Sequence, residues 1–323
     1  MTATGRSSSA ARRGLMRQVV GGVVVLTFGR AVANPGHLLA VVYPELADPF
    51  RQVFASILDG IEDRQGGPVP RFAVPGNASP AQIADDIRRR DPQVLIGLGR
   101  SGMRVASAMA GEMAVLVGCV VSVQEAEARA FPVHTLAPDP ALMLGRLRRL
   151  RPGVRRVHLV YDPQVNTWLV RLAREAARAE GLELLAQEAG DTVDALRIYT
   201  QVMSGADAVR DALWLPQDPT TVDENAVLSL VLREGWNRNV AVFSSHLAHV
   251  KRGALFALYP DNRELGRSLA LAAQRLVGVP RAAPAGVQPL RQALAAINVR
   301  TAAHLGVDVA AVQPSFDLVY PTT

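Results

Sequence analysis

The residues best suited to bind or react lie directly after short β-branched runs of the sequence. They are hydroxyl, amide, carboxylate and imidazole groups, which can hydrogen-bond a small polar ligand, and helix starts beside them favour its anionic part. The predicted ligand-binding residues are Glu45, Gly99, Arg100, Ser101, Ser122, Asp162, Gln164, Asn166, Gln217, Asp218, Ser244, Ser245 and His246. Helix capping and ligand contact use the same positions, so capping remains an alternative for Ser101, Asn166, Thr220 and Ser245.

The charged members of this set suggest how an ionic ligand is held. Arg100 could hold a carboxylate or phosphate with two hydrogen bonds, or could pair with a surface acid. Glu45 or Asp218 could hold a cationic group. Acid–base catalysis needs two titratable groups in matched environments, which Glu45, Asp162 and Asp218 could supply. Because charged groups that line a binding cleft serve equally well to pair with a ligand, we predict no catalytic residue.

A glycine pattern raises the question of a dinucleotide site. Gly97, Gly99 and Gly102 match G-x-G-x-x-G, and Glu125 follows at roughly the spacing that such a site requires. The fingerprint belongs at the first strand-to-helix turn of its unit, whereas this is the third. Glycines here also suit close packing of strand and helix. We therefore predict no cofactor.

Nucleophile and metal motifs are also weak in this sequence. Ser101 does not stand in G-x-S-x-G, because Met103 occupies the second position after it. His246 and His249 are spaced i, i+3 and could share a helix face, as metal ligands do. No cysteine or acid stands nearby at ligand spacing, so we predict no metal site and no enzyme activity.

Strand-like and helix-like stretches alternate along most of the chain, which predicts parallel sheets flanked by helices. The element order over residues 38–121 repeats over 157–243, and prolines cluster between the two rounds at 131–140. Two similar lobes joined near that segment are therefore expected. Ligands of such sheets sit beyond the carboxyl ends of the strands, where the candidate residues lie.

A further strand and helix, at 254–259 and 261–277, follow the second round and are predicted to return to the first lobe. Several chain crossings between lobes would form a hinge. The predicted lobes comprise residues 36–136 plus 256–282 for the N-terminal lobe and residues 137–255 plus 283–323 for the C-terminal lobe.

The N-terminal segment carries most of the excess charge. The chain of 323 residues has a net charge of +6, and residues 1–33 hold five arginines and no acid. The remainder has 30 basic against 29 acidic residues, so no basic field is left to attract nucleic acid.

The basic residues, apolar run and Ala31-Val32-Ala33 of this segment predict an export signal cleaved after Ala33. A twin-arginine route and an uncleaved anchor are the alternatives. The single Cys119 cannot form an internal disulfide, and export without disulfides favours a Gram-negative periplasm.

An ordered series of segments resembles the periplasmic substrate-binding proteins of ABC transporters, particularly the group with tryptophan-binding-type proteins. The segments are 94–99, 158–163, 213–218, 250–259, 264–267 and 297–306. The resemblance implies an α/β fold of two Rossmann-like lobes with parallel sheets, of the type I periplasmic-binding-protein kind, with multiple crossovers at the hinge. In that family the loops matching 99–101, 122–124, 162–166, 217–220 and 244–246 line the cleft. The chain departs from the pattern at Arg100 and at Ser245-His246.

The resemblance implies a periplasmic solute-binding component of an ABC import system. Such a protein captures a small polar ligand, an amino acid or similar, by domain closure and without bond chemistry. Its expected partner is an inner-membrane ABC permease, with no cofactor and no nucleic acid, and the protein is expected to be a monomer. A ligand sensor feeding a membrane receptor or kinase is the alternative, and an NAD-binding or hydrolytic enzyme is the third.

Overall fold

Strands and helices alternate from the first described residue in the computed structural model, which describes residues 38–278 and 285–321. The elements of the first part are β1 (Leu39–Pro44), α1 (Phe50–Gln65), β2 (Arg71–Val74), α2 (Pro80–Arg90), β3 (Val94–Leu98), α3 (Gly99–Met109), β4 (Ala114–Val120), α4 (Glu125–Ala130) and β5 (Pro132–Pro138). The last of these was expected to be a linker. It is a strand because alternate residues are buried and its prolines stand at its two ends, where they disturb the ladder least.

The second part of the chain continues the alternation. Its elements are α5 (Pro140–Leu150), β6 (Arg156–Tyr161), α6 (Pro163–Ala179), β7 (Glu183–Glu188), α7 (Thr192–Gly205), β8 (Asp211–Leu215), α8 (Val227–Asn237), β9 (Ala241–Ser244), α9 (Leu247–Arg252), β10 (Phe256–Pro260), α10 (Asn262–Gln274), β11 (Gly286–Leu290), β12 (Ala293–Asn298), α11 (Val299–His304), α12 (Val309–Val312) and β13 (Leu318–Tyr320). Aspartates cap several of these helices, including Asp191, which accepts a hydrogen bond from the backbone N–H of Asp194.

The strands form two separate sheets. The first has the order β11-β5-β4-β3-β1-β2, and the second has the order β13-β12-β10-β9-β8-β6-β7. Among the described strands, the pairing of β10 with β12 is antiparallel and the other pairings are parallel. The predicted α/β fold with two parallel sheets is therefore confirmed.

Two strands lie in the opposite sheet from the predicted one. β10, expected in the first lobe, pairs with β12 from Phe256↔Ile297 to Pro260↔Ala293 in the second sheet. Phe256 stacks on Phe243 of β9 with ring centroids 5.0 Å apart, which anchors the strand in that lobe's core. Conversely, β11, expected in the second lobe, pairs with β5 in the first sheet.

Helix α10 does return to the first lobe, and two glycines explain why. A Cβ on Gly60 of α1 would lie 2.0 Å from the carbonyl oxygen of Arg263, and one on Gly266 would lie 2.1 Å from that of Ile57. The two helices therefore touch backbone to backbone. Asp63 on α1 adds an ion pair with Arg263 at 2.7 Å.

Both faces of each sheet are covered by helices. Leu39 and Val41 of β1 pack in one cluster with residues of α1 and α10, whereas Ala40 and Val42 pack in another with α2 and α3. Residues of the second sheet pack in three such clusters. Strands buried on both faces are apolar nearly throughout, so polar chemistry is left to the loops at their ends.

Within the described residues the chain passes between the sheets three times, after β5, after β10 and after β11. The crossing segments are bonded to one another. The backbone N–H of Asp139 donates to the carbonyl of Leu290 at 2.8 Å, and that of Asp261 donates to Gln292 at 2.9 Å. Arg291 Nε donates to the Asp139 carboxylate at 2.9 Å. The multiple crossovers of the predicted fold are therefore present.

Of the helices in the described residues, none is long and apolar enough to cross a membrane. The predicted export signal, residues 1–33, lies outside the described residues.

Candidate functional site

The candidate residues lie at the carboxyl ends of strands in both sheets, where an α/β protein binds its ligand. In the first lobe, Glu45 follows β1, residues 99–101 begin α3 after β3, and Ser122 follows β4. In the second lobe, residues 162–166 follow β6, residues 217–218 follow β8, and Ser244 ends β9 with residues 245–246 directly after it. Some of these side chains are hydrogen-bonded within the protein and hold the loops together, whereas others have no such partner.

Asp218 joins the loops that follow β6 and β8. Its Oδ2 accepts hydrogen bonds from the backbone N–H of Asp162 at 2.8 Å and from Asn166 Nδ2 at 2.9 Å. Its Oδ1 accepts from the backbone N–H groups of Thr220 and Thr221 at 3.0 and 3.2 Å. Because this carboxylate is 3% exposed and both oxygens are engaged, its bonds are structural.

Asp162 caps helix α6. Its Oδ1 accepts the backbone N–H of Gln164 at 2.9 Å, and its Oδ2 accepts the Thr220 hydroxyl at 3.2 Å. Asn166 is 1% exposed and points back to Asp218. Asp162 is thus a helix cap, whereas Asn166 lies within α6 and joins the two loops instead of capping the helix. Gln164 is exposed on the first turn of the helix.

The two serines at the end of β9 are bonded inward. The Ser244 hydroxyl oxygen accepts the backbone N–H of His246 at 3.0 Å and lies 2.7 Å from His249 Nδ1. The Ser245 hydroxyl oxygen accepts the Trp214 indole N–H at 2.9 Å. Both serines are buried and hold the β9–α9 turn in place.

Two polar atoms in the same region have no hydrogen-bond partner among the described residues. They are Gln217 Oε1, after β8, and His246 Nδ1, after the neighbouring strand β9, and both atoms are buried. Buried polar groups in folded proteins are almost always hydrogen-bonded. Each of these two atoms therefore has an unused position for a hydrogen bond.

Arg100 is paired with an acid in the first lobe. Its Nη1 lies 2.8 Å from Glu127 Oε1, and its Nη2 donates to the Ser122 hydroxyl at 3.0 Å. Glu127 also accepts the backbone N–H of Gln124 at 2.9 Å and so caps α4. Arg100 thus links α3 to α4, and an anionic ligand would have to compete with Glu127.

The start of α3 remains open. Among the described residues no side chain caps this helix, whose N-cap is Leu98. Ser101 stands in its first turn, and its hydroxyl accepts a hydrogen bond from Arg104 at 3.4 Å. Glu45 directly follows β1, the strand that pairs with β3. It is exposed, and its side chain has no partner in the described part of the chain.

Close packing explains the glycine pattern before α3. A Cβ on Gly97 would lie 2.7 Å from the carbonyl oxygen of Gly102, and one on Gly102 would lie 2.5 Å from that of Val42. Gly99 has a φ of +65°, a conformation that side chains disfavour. The three glycines therefore fit the strand-to-helix junction without reference to a dinucleotide.

A cavity of about 500 Å³ is lined by residues of both lobes. Glu125 and Arg129 of α4 contribute from the first lobe, and Gln164, Trp168 and Arg171 of α6 contribute from the second. Its size falls in the range of small-molecule sites. Of these residues, the sequence predicted only Gln164 as a ligand contact. Arg129, Trp168 and Arg171 lie on later helix turns, and Glu125, the first residue of α4, was considered only as part of a dinucleotide pattern.

A cluster of possible metal ligands lies beside α9. One ligand atom from each of Glu224, His246 and His249 lies within 4.8 Å of the other two. Burial, with smaller effects of His246 and Arg252, lowers the pKa of His249 to about 4. Sequence spacing could not reveal Glu224, which belongs to the loop after β8 and meets the histidines only in the folded chain.

Comparisons with known proteins agree with this architecture. The family described as ABC transporter substrate binding protein matches residues 144–311. No curated protein matches the chain.

Solved structures with similar folds include a ligand-free, open substrate binding protein with adhesive properties from Clostridium difficile. It is 14% identical with a TM-score of 0.62, over 87% of this chain and 98% of that one. The ABC domain in complex with L-Trp from Streptococcus pneumonia is 15% identical with a TM-score of 0.56, over 88% and 99% of the two chains. A conserved domain protein from Vibrio cholerae is 17% identical with a TM-score of 0.53, over 87% and 99%.

These similarities confirm the fold, and the family match covers more than half of the 323 residues. The chain belongs to the family of ABC transporter substrate-binding proteins.

Proposed function

We propose that this protein is the solute receptor of an ABC import system, which closes its two lobes on a small zwitterion of the amino-acid class. The cavity of about 500 Å³, lined by α4 of the first lobe and α6 of the second, is the observation that carries closure of the lobes on a solute. The groups proposed below to hold the charges of the solute do not line this cavity and lie after other strands, at the carboxyl ends of the sheets. Family membership supports the solute-binding role. A solute that contacts both lobes at once favours the closed state by its differential affinity.

The start of α3 is the proposed site for the anionic group. Its first turn, residues 99–101, has no side-chain cap among the described residues, and the positive end of the helix dipole favours a carboxylate. Arg100 contributes less than its charge suggests, since Glu127 already pairs with it. The Ser101 hydroxyl is a second donor for the same group.

Glu45 is the proposed partner of the cationic group. Asp218, the other acid considered, is 3% exposed and accepts four hydrogen bonds within its own lobe. Glu45 is exposed and has no side-chain partner in the described residues. Gln217 Oε1, a buried acceptor without a partner there, is proposed to take a hydrogen bond from the ligand in the closed state.

The protein is proposed to be exported and to act in the periplasm. Cleavage after Ala33 would release the mature protein into the periplasm as a monomer that meets an inner-membrane permease and no nucleic acid. The near balance of charge after the first 33 residues, 30 basic against 29 acidic, supports a partner other than a polyanion. The protein makes and breaks no bonds in this role, and the solute leaves unchanged.

A ligand screen tests the proposal. Amino acids, nucleosides, sugars and small carboxylates are added to the purified protein, and a ligand raises the melting temperature by mass action. We expect amino acids to give the shifts, with the best of them recovered chemically unchanged after incubation. Shifts from sugars or nucleosides alone, or turnover of the ligand, would contradict the proposal.

Two glutamate variants locate the site. Glu45→Gln removes the proposed charge partner, and we expect the affinity for the amino acid to fall at least about ten-fold, the effect of losing about 1.4 kcal/mol. Glu183→Gln is the matched control, because Glu183 is also exposed but begins β7 at the opposite end of its sheet. Equal affinities for the two variants would remove Glu45 from the site.

A further inference from the structure

We propose that Glu224, His246 and His249 bind a divalent transition-metal ion of the Zn²⁺ class at the end of β9. The donor set of two imidazoles and one carboxylate is one that proteins use for Zn²⁺. One ligand atom from each residue lies within 4.8 Å of the other two. The proposal is independent of the solute, because it concerns the second lobe alone and a different ligand.

The three ligand atoms lie at most about 1.5 Å further apart than the ligands of a coordinated ion. Ligands about 2.0 Å from tetrahedral Zn²⁺ lie about 3.3 Å from one another. Glu224 is exposed and stands in the loop between β8 and α8, so its carboxylate can turn toward the histidines. The rings of His246 and His249 are already adjacent, with centroids 4.9 Å apart.

Ser244 orients the His249 ring for this role. Its hydroxyl oxygen lies 2.7 Å from His249 Nδ1, accepts the backbone N–H of His246, and lies 3.4 Å from the carbonyl of Leu215. If the hydroxyl proton goes to Leu215, His249 Nδ1 donates its own proton to Ser244. The other ring nitrogen, Nε2, then carries a lone pair, which is the arrangement that metal-ligating histidines adopt.

His246 supplies an independent sign of a missing partner. Its Nδ1 is buried and has no hydrogen-bond partner among the described residues. His246 is also the N-cap of α9, and its backbone N–H is fixed by Ser244 at 3.0 Å, so the ring starts from a defined backbone position. A metal ion would satisfy a ring nitrogen that the protein leaves open.

Arg252, the cation beside Glu224, leaves the Glu224 carboxylate available to a metal ion. Arg252 Nη1 is 3.9 Å from Glu224 Oε2, which is a loose ion pair, and its firmer bond is to the backbone carbonyl of Glu224 at 2.9 Å. Arg252 also donates to the Ser229 hydroxyl at 2.9 Å. It therefore holds the loop rather than the carboxylate. Three protein ligands leave a fourth position for water or another donor.

Metal binding is tested on the tag-free, full-length protein after treatment with EDTA, using Zn²⁺ alone and no solute. We expect one Zn²⁺ per chain by calorimetry, and visible d–d bands of tetrahedral Co²⁺ when cobalt replaces zinc. Glu224→Gln and His246→Ala are each expected to weaken Zn²⁺ binding at least ten-fold. His304→Gln is the control, because His304 stacks on Trp236 in another part of the lobe.

Glu224→Gln is expected to fold, because Glu224 is exposed and glutamine has the same size. The test therefore remains decisive even if His246→Ala folds poorly. Far-ultraviolet circular dichroism checks the fold of each. Absence of saturable Zn²⁺ binding, or unchanged binding in Glu224→Gln or in a folded His246→Ala, overturns the metal site. Neither result affects the amino-acid screen, so the solute proposal stands or falls separately.

Discussion

At the scale of single residues, the polar groups at the strand ends differ in whether the protein already satisfies them. Asp162, Asn166 and Asp218 bond to one another across two loops, whereas Glu45 has no side-chain partner in the described residues. Breaking the hydrogen bonds of a buried group costs free energy, and a ligand adds little to a group whose hydrogen bonds are already made. We therefore expect the loss of Asp218 to lower the stability of the fold first.

We expect Asp218→Ala to lower the free energy of unfolding by roughly 3 kcal/mol, because it leaves several buried donors unpaired. Urea denaturation followed by circular dichroism measures the change. Glu183→Ala, at an exposed position, serves as the control and should change stability by less than about 0.5 kcal/mol. A stable Asp218→Ala protein would show that this network is dispensable.

The pH dependence of stability has a contribution from His158. Burial lowers the pKa of this histidine in the folded protein, and the Asp211 carboxylate, 3.7 Å from His158 Nε2, offsets only part of that effect. As the pH falls below about 6.5, the unfolded chain binds a proton that the folded protein resists, so stability decreases. Above about pH 7.5 this contribution is fully present and constant.

His158→Gln should accordingly flatten the loss of stability between about pH 6.5 and pH 5. Urea denaturation of both proteins at several pH values measures the slopes. Identical slopes for the two proteins would mean that His158 is not held neutral by its surroundings.

Sequence could predict where the polar residues stand, but not which of them are already bonded. Asp162 and Asp218 both follow apolar runs, and that pattern places them at strand ends. Their mutual contact joins residues 56 positions apart, and no local pattern encodes it. The same holds for the pairing of Arg100 with Glu127, and for the approach of Glu224 to the histidines.

At the scale of elements, the junction with α1 fastens helix α10 to the first lobe. Gly60 and Gly266 allow the two helix backbones to touch. Added side-chain atoms at such a contact force the helices apart, which typically costs 1–3 kcal/mol and occasionally more.

Gly266→Ala should lower the free energy of unfolding by about 3 kcal/mol, since its Cβ would lie 2.1 Å from the carbonyl oxygen of Ile57. Gly67→Ala is the matched control, because nothing lies within 4 Å of a Cβ there. Chemical denaturation compares the two. Equal stability of both variants would argue against the close helix contact.

Periodicity predicted the existence of β10 and α10 but not the sheet to which the strand belongs. The pattern of β10 is that of any buried strand, and its place beside β12 depends on contacts such as Phe256 on Phe243. The strand β5 was missed because its two prolines resemble a linker until its burial is known.

At the scale of the whole molecule, the three crossings between the sheets determine how the lobes can move. Hydrogen bonds of Asp139 with Leu290 and of Asp261 with Gln292 hold the crossing segments side by side. Segments that connect two domains can act as the hinge about which the domains close on a ligand. The proposed capture of a solute requires that motion.

Small-angle X-ray scattering of the protein with and without its best amino-acid ligand tests this central proposal most directly. The account predicts that saturating ligand lowers the radius of gyration, with Glu45→Gln requiring more ligand for the same change. Saturation of the protein by its ligand with no change in the radius of gyration would contradict capture by closure of the lobes.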